Sequence, residues 1–284
     1  MAGLIAIDLD GTLLGAFGEL SERNTAALTD ASAAGWTVVL ATGRPPHLTT
    51  HLAPQLAGVV SHVVGANGSI VATFPASPDG EPELLHLASF DFEIADRMIR
   101  DLRQADAGYR FAIATDRGFA HEDGFADRMP AAVAGPPVDD VLTIGGTEAF
   151  KLLVFHDQHD VHEVSRRIPA VVRATIEAVE RDGAQSVGEF AVSHMGADAA
   201  EIGPAATDKG AGLRWLCDHL DVPAADVVAF GDELNDLTML EWAGTSYAME
   251  NAAHDVKAVA DHVAPHHVDD GVAQVVEQLI RRSA

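Results

Sequence analysis

The sequence predicts an α/β fold: a Rossmann-like, doubly wound parallel sheet as core, with an α+β domain inserted into it. Three observations predict it. The first third alternates short apolar runs with amphipathic segments. The last third repeats that alternation. The middle third departs from it and holds paired strand patterns.

In order, Gly3–Ile7 is a continuous apolar run ending in acids, the pattern of a strand buried on both faces. Ser21 caps a helix through Ala26, Leu28 and Ala31, with Gly35 as its stop. Trp36–Ala41 is a second buried strand, ending at Thr42-Gly43-Arg44, and Pro45 and Pro46 suit the first turn of a following helix. Residues 62–64 give a third strand, ending at Asn67-Gly68, and 77–83, rich in Pro, Gly and acids, read as a loop. In the middle, 91–105 are helical, 109–114 and 118–121 pair around Thr115-Asp116-Arg117, and 150–155 form a strand. Residues 161–176 are helical, with Pro169 expected to break or kink the helix, and 185–194 and 199–202 are strands. The last third offers an amphipathic helix at 208–220 and a short strand at 227–230 ending at Gly231-Asp232. A helix at 235–242, a strand at 246–249 and helices at 253–259 and 272–280 complete it. The expected division is core at 1–85 and 201–284, insert at 86–200.

The composition narrows the partners. With 18 Lys and Arg against 43 Asp and Glu, the net charge is −25. No basic stripe is available to neutralise a polymer of phosphates, so nucleic acid and anionic membrane are expected to be excluded. An anionic small molecule would need local positive charge: a metal, a lysine or helix N-termini. The one cysteine, Cys217, forbids an intrachain disulfide and fits a reducing, cytoplasmic compartment. The apolar N-terminal run meets acids within ten residues, so it reads as a strand and not a signal peptide. No apolar run approaches the ~20 residues that span a bilayer.

In an open parallel sheet, ligands bind beyond the carboxyl ends of the strands. Those ends carry Asp8 and Asp10, Thr42 with Gly43 and Arg44, and Asp232 with Asn235 and Asp236. Lys209 opens a helix. Acids, a hydroxyl and a lysine gathered on one rim can hold a divalent cation and a phosphate together. Each alone has an ordinary reading as a turn, cap or solvated side chain. An EF-hand is a poor fit, because the LLGAFG stretch before Glu19 has no ligand pattern. His254, His262, His266 and His267 fit no zinc spacing and read as solvated loop residues.

Jointly, DLDGT at 8–12, ATGRP at 41–45, DKG at 208–210 and GDELND at 231–236 resemble the four motifs of the haloacid dehalogenase (HAD) superfamily. The sequence is most similar to its Cof-type phosphatases, subclass IIB. GANGS at 65–69, AMENA at 248–252 and DDGV at 269–272 resemble further segments of that group. The resemblance implies a HAD core with an inserted α+β cap domain, and a Mg²⁺-dependent phosphatase acting on a small phosphorylated metabolite such as a sugar phosphate. It implies Asp8 as nucleophile forming an aspartyl-phosphate, Asp10 as general acid and base, and Thr42 and Lys209 on the phosphoryl group. Mg²⁺ would sit between Asp8, the Asp10 carbonyl and Asp232, with Asp236 holding its waters or orienting Lys209. Gly43, Arg44, Asn67, Asn235 and Asn251 would meet substrate. Arg110, Arg117, His121, Lys151 and His194 are candidate recognition groups in the insert. Glu233 and Glu250 depart from the family pattern.

The chemistry agrees with those roles. A carboxylate is ionised at neutral pH and needs no base to act as nucleophile. The two-residue spacing would put Asp8 and Asp10 on one face of a regular strand. A phosphomutase on the same scaffold is the alternative; it would need basic groups in the insert to hold a bisphosphate, and 88–200 is poor in Lys though not in Arg.

Overall fold

The computed structural model describes residues 3–115, 117–125, 136–183, 189–195, 199–205 and 207–283, with the side chains at 47, 193–195 and 282–283 outside the described set. In chain order its strands are β1 (Gly3–Ile7), β2 (Trp36–Ala41), β3 (Val60–Gly65), β4 (Ile70–Thr73), β5 (Leu84–Leu87), β6 (Phe90–Asp91) and β7 (Tyr109–Thr115). There follow β8 (Gly118–His121), β9 (Glu148–His156), β10 (Phe190–Met195), β11 (Ala199–Pro204), β12 (Val227–Gly231), β13 (Thr245–Met249) and β14 (His262–Ala264). The chain forms two compact units, Met1–Leu87 with Thr207–Ala284, and Ala88–Ala206.

The first unit is an eight-stranded sheet in the order β14-β13-β12-β1-β2-β3-β4-β5. Strands β14 through β3 are parallel, and β4 and β5 join antiparallel. Every residue of β1 is buried, and the period of two sends its side chains to two different cores. Ile5 and Ile7 pack with Ala27, Leu28 and Ala31 of the helix Glu22–Ala33 and with Val272 and Val276 of the helix Gly271–Ser283. Leu4 and Ala6 pack on the other side with Leu213, Leu216 and Cys217 of the helix Lys209–His219, and with Met239 and Leu240 of Leu237–Trp242. A strand covered on both faces must be apolar throughout, which is why GLIAI shows no alternation. The chain runs outward from β1 through β2 and β3 on one side, and from β12 through β14 on the other. The order therefore reverses between β1 and β12, and that seam is where a doubly wound sheet opens a crevice.

The second unit is an antiparallel sheet, β10-β11-β9-β7-β8, with β6 pairing β9. Two helices, Phe92–Ala105 and Val161–Arg181, share its apolar core through Met98, Ile99, Val164 and Ile168.

Three expectations change. Strands β4 and β5 extend the core sheet where the sequence reading placed none. Both expected domain boundaries fall inside strands: 85/86 cuts β5, whose register Ile70↔Leu87 ties it to the core, and 200/201 cuts β11, which pairs Glu201 with Leu153 of the insert. Pro169 does not end its helix, which runs 21 residues from Val161 to Arg181. A helix-interior proline costs about 3 kcal/mol, and the buried stripe Val161, Val164, Ile168, Val172 and Thr175 offsets this by packing along the sheet. Of the expected strand 185–194, residues 185–188 lie outside the described set, as does Asp116 of the expected turn.

Candidate active site

At the end of β1 the backbone N–H of Asp8 still donates to Phe230 O of β12, at 3.1 Å, so the carboxylate emerges at the seam. The chain then leaves the strand in a π-type turn, Leu9–Leu13, closed by Leu13 N to Asp8 O and Leu14 N to Leu9 O. Gly11 adopts φ +82° in that turn, and a Cβ there would run into the Asp232 carboxylate. Gly11→Ala is expected to displace Asp232, lowering kcat at least tenfold and stability by about 1–2 kcal/mol. Phosphatase assays and thermal melts check this, and an unaltered enzyme would contradict it.

The turn separates the two acids. Asp8 is 5% exposed and points inward, while the Asp10 side chain is 59% exposed. The expectation that both share one strand face fails because the strand ends at Ile7.

Asp8, Asp232 and Asp236 are all buried and offer carboxylate oxygens within 4.8 Å of one another. Lys209, 1% exposed, places Nζ 2.6 Å from Asp8 Oδ1 and 2.6 Å from Asp236 Oδ1. Asp236 is consumed by this role and by its turn, since its Oδ2 accepts the N–H groups of Asp232 at 2.9 Å and Glu233 at 3.0 Å. The unexpected acid Glu233 completes a capping box with Asp236. Asp232 accepts Thr12 Oγ1 at 2.9 Å on Oδ1 and Asn251 Nδ2 at 3.2 Å on Oδ2.

Three carboxylates facing one ammonium would carry a formal charge of −2 if all were ionised, and the buried site resists that state. Burial, then Asp236 and Asp232, hold the Asp8 carboxyl above its ordinary range, against the pull of Lys209. Burial, with Asp236 and Glu233, pushes Asp232 up to about 6, against its Thr12 hydrogen bond. Burial alone would lower the Lys209 ammonium, but Asp8 and Asp236 outweigh it and hold it above the usual lysine range. A hard divalent cation removes the imbalance, and oxygen donors from Asp8 and Asp232 are the type it takes.

Beside this cluster, Thr42 is buried at the end of β2. Its N–H donates to Val64 O at 2.8 Å, and its Oγ1 accepts Arg44 N at 3.1 Å, which leaves the hydroxyl proton able to donate elsewhere. Arg44 does not stand free for a ligand: its guanidinium grips Asp10 with Nε at 2.9 Å and a terminal nitrogen at 2.5 Å. Asn67, at φ +54°, accepts Asn235 Nδ2 at 3.0 Å and lies against Gly43. Asn251 was expected to meet substrate. Its amide donates to Gly11 O at 2.7 Å and to Asp232, and accepts His267 N at 3.2 Å. It braces the first turn against Asp232.

Four supporting residues carried no role in the sequence reading. Thr12 lies inside a quoted motif, and its hydroxyl was the available signal. Asp208 caps the Lys209 helix through Ala211 N at 2.7 Å and accepts Thr238 Oγ1 at 2.8 Å, fixing the helix that delivers the lysine. Thr238 and the His267–Leu14 contact, Nδ1 to O at 2.7 Å, depend on packing that no local pattern announces.

In the insert, Arg110 pairs with Asp157 at 2.7 Å, Lys151 pairs with Glu201 at 2.8 Å, and His121 is buried; Arg117 is exposed, and the His194 side chain lies outside the described residues. Asp106, His156 and His159 also cluster there. His156 Nδ1 accepts Gln158 N–H at 3.0 Å, and its buried Nε2 lies 3.1 Å from Asp106 Oδ1 without hydrogen-bond geometry. None of the four C-terminal histidines joins a metal-type group among the described residues.

The fold and this rim are those of a HAD-type hydrolase, and comparison with known proteins agrees. Residues 5–276 match the family model for haloacid dehalogenase-like hydrolases, and the chain belongs to that family. It is a Cof-type phosphatase, a phosphoric monoester hydrolase. It is 29% identical to the phosphatase YwpJ of Bacillus subtilis over 98% of this chain and 99% of that one. It is 26% identical to the 5-amino-6-(5-phospho-D-ribitylamino)uracil phosphatase YitU of the same organism, over 97% and 96%. A crystal structure from Eubacterium rectale superposes with a TM-score of 0.78 at 25% identity, covering 97% and 98% of the two chains.

Proposed function

We propose that the protein is a magnesium-dependent phosphatase of small phosphomonoesters, sugar phosphates or related metabolites, working through an aspartyl-phosphate on Asp8. The observation that carries this is the buried group Asp8, Asp232, Asp236 and Lys209 at the sheet's switch point, three carboxyls against one ammonium. A relative that acts on a phosphorylated ribityl compound supports the substrate class.

Asp8 and Asp232 would hold Mg²⁺, joined by the Asp10 carbonyl. Bound there, the ion neutralises the site and stabilises charge on the phosphoryl oxygens. The remaining work belongs to the chain. Lys209 fixes Asp8 through Oδ1, so Oδ2 is the oxygen that attacks phosphorus. As the Asp8–phosphorus bond forms, the bond to the substrate oxygen breaks and Asp10, protonated at the start of the cycle, gives that oxygen its proton. Thr42 Oγ1 and the Lys209 ammonium stabilise the transferring group. Water then attacks phosphorus, Asp10 takes its proton, and phosphate leaves with Asp8 restored. Asp236 acts through Lys209, and Asn235 and Asn67 brace the rim. The insert would act as the cap that reads the leaving group.

The net charge of −25 supports a small metabolite over nucleic acid or anionic membrane. No helix among the described residues is long and apolar enough to cross a membrane. Cys217 is buried and its thiol is pushed up to about 12 by that burial, which supports an unreactive thiol.

The test is phosphate release from a panel of phosphomonoesters. Turnover is expected with Mg²⁺, lost on chelation and restored by adding Mg²⁺ back. No release from any member, with wild type equal to Asp8→Asn, would overturn the reading. So would conversion of a hexose 1-phosphate to its 6-phosphate without free phosphate.

A further inference from the structure

Asp10 is the one carboxylate of the first turn that stands outside the buried cluster. It is more than half exposed, and an aspartate on an open turn ordinarily samples several rotamers. Here it does not stand alone. Arg44 meets it with two nitrogens on two oxygens, Nε to Oδ2 and a terminal nitrogen to Oδ1. Such a fork fixes direction as well as distance.

The fork itself is anchored. Arg44 N donates to Thr42 Oγ1, and Arg44 O accepts Ala66 N at 2.9 Å, so the arginine backbone is held by its own loop and by the turn after β3. Asp10 is held at the other end by a turn that Gly11 makes sharp. An exposed ion pair between two mobile side chains contributes little. One built between two fixed backbones orients its members.

We propose that Arg44 is a positioning residue for Asp10: it fixes the side chain at the rim, apart from the cation-binding acids, gripping both oxygens of the carboxylate and one oxygen of the protonated acid, which gives its proton to the leaving-group oxygen and regains one from the attacking water. This rests on the reading of Asp10 as general acid and base, and it reassigns Arg44 from substrate contact to support of that group.

The experiment compares leaving groups. An alkyl phosphate, glucose 6-phosphate, needs a proton on its departing oxygen, whereas p-nitrophenyl phosphate releases a stable phenolate and does not. For kcat/KM, which reports the steps through leaving-group departure, Arg44→Met is expected to lower glucose 6-phosphate hydrolysis by about 10–100-fold. It should leave p-nitrophenyl phosphate within about threefold. In an Asp10→Asn background the same substitution should cause no further selective loss, because the group it positions is gone. Equal losses for both substrates would overturn the proposal, marking either a substrate contact or a structural residue. A full, selective loss persisting in the Asp10→Asn background would overturn it as well. If Asp10→Asn alone fails to discriminate the two substrates, the general-acid reading falls and takes this proposal with it. If wild type releases phosphate from no member of the phosphomonoester panel, the phosphatase reading itself has failed.

Discussion

Replacing Asp8 by Asn is expected to lower kcat by on the order of 10⁵-fold while leaving the fold intact or more stable without metal. The two halves of that result have one cause. The carboxylate is the attacking group, and an amide oxygen is too weak a nucleophile to replace it. The same carboxylate is a liability to the metal-free fold: buried, close to Asp232 and Asp236, and held above its ordinary pKa range. An amide keeps an acceptor for Lys209 and removes one ionisable group from the crowded cluster. Steady-state assays with an active phosphomonoester and thermal melts in chelator check both halves. Activity within a hundredfold of wild type would remove Asp8 from the chemistry. A large loss of stability would mean that activity fell through unfolding.

Lys209→Met should behave in the opposite way. The side chain is of similar length, yet it leaves Asp8 and Asp236 facing each other with no cation between them. Breaking a buried ion pair from one side costs about 3–5 kcal/mol, and the lost charge at the phosphoryl group should lower kcat by roughly 10³-fold. The expected signature is a protein that melts early in chelator and regains part of its stability with Mg²⁺, because ligand binding to the native state stabilises it. A variant as stable as wild type in chelator would show that Lys209 does not neutralise the cluster. Asp8→Asn and Lys209→Met thus separate the nucleophile from its counter-ion, although the two atoms are 2.6 Å apart.

How much of this was legible beforehand follows from where each residue's role is fixed. Asp8, Thr42 and Asp232 sit at the ends of apolar runs, and a parallel sheet sends such ends to one rim; the carboxylates of Asp8 and Asp232 lie within 4.8 Å of each other there. Lys209 was readable as a helix start. What the sequence did not yield was direction. The period of two suggested that Asp8 and Asp10 point alike, but the π-type turn after Ile7 sends one into the core and the other to the surface. Arg44 and Asn251 looked like ligand contacts because they are polar and near the rim. Their actual partners, Asp10 and the Gly11–Asp232 pair, are 34 and 240 or 19 residues away in the chain. The exact domain limits, at Leu87 and Thr207, were not legible for a related reason: β5 and β11 are assigned to their units by pairing with distant strands, not by their own composition.

The most direct check on the central claim is to trap the phosphoryl group. Asp10→Asn enzyme, turning over p-nitrophenyl phosphate with Mg²⁺, can release nitrophenol without an acid but has lost the base for hydrolysis. Acid quenching followed by peptide mass spectrometry should find one phosphate, carried by the peptide containing Asp8, and none after chelation. Phosphate on a different side chain, or steady release of inorganic phosphate with no protein-bound phosphate at any time, would contradict it.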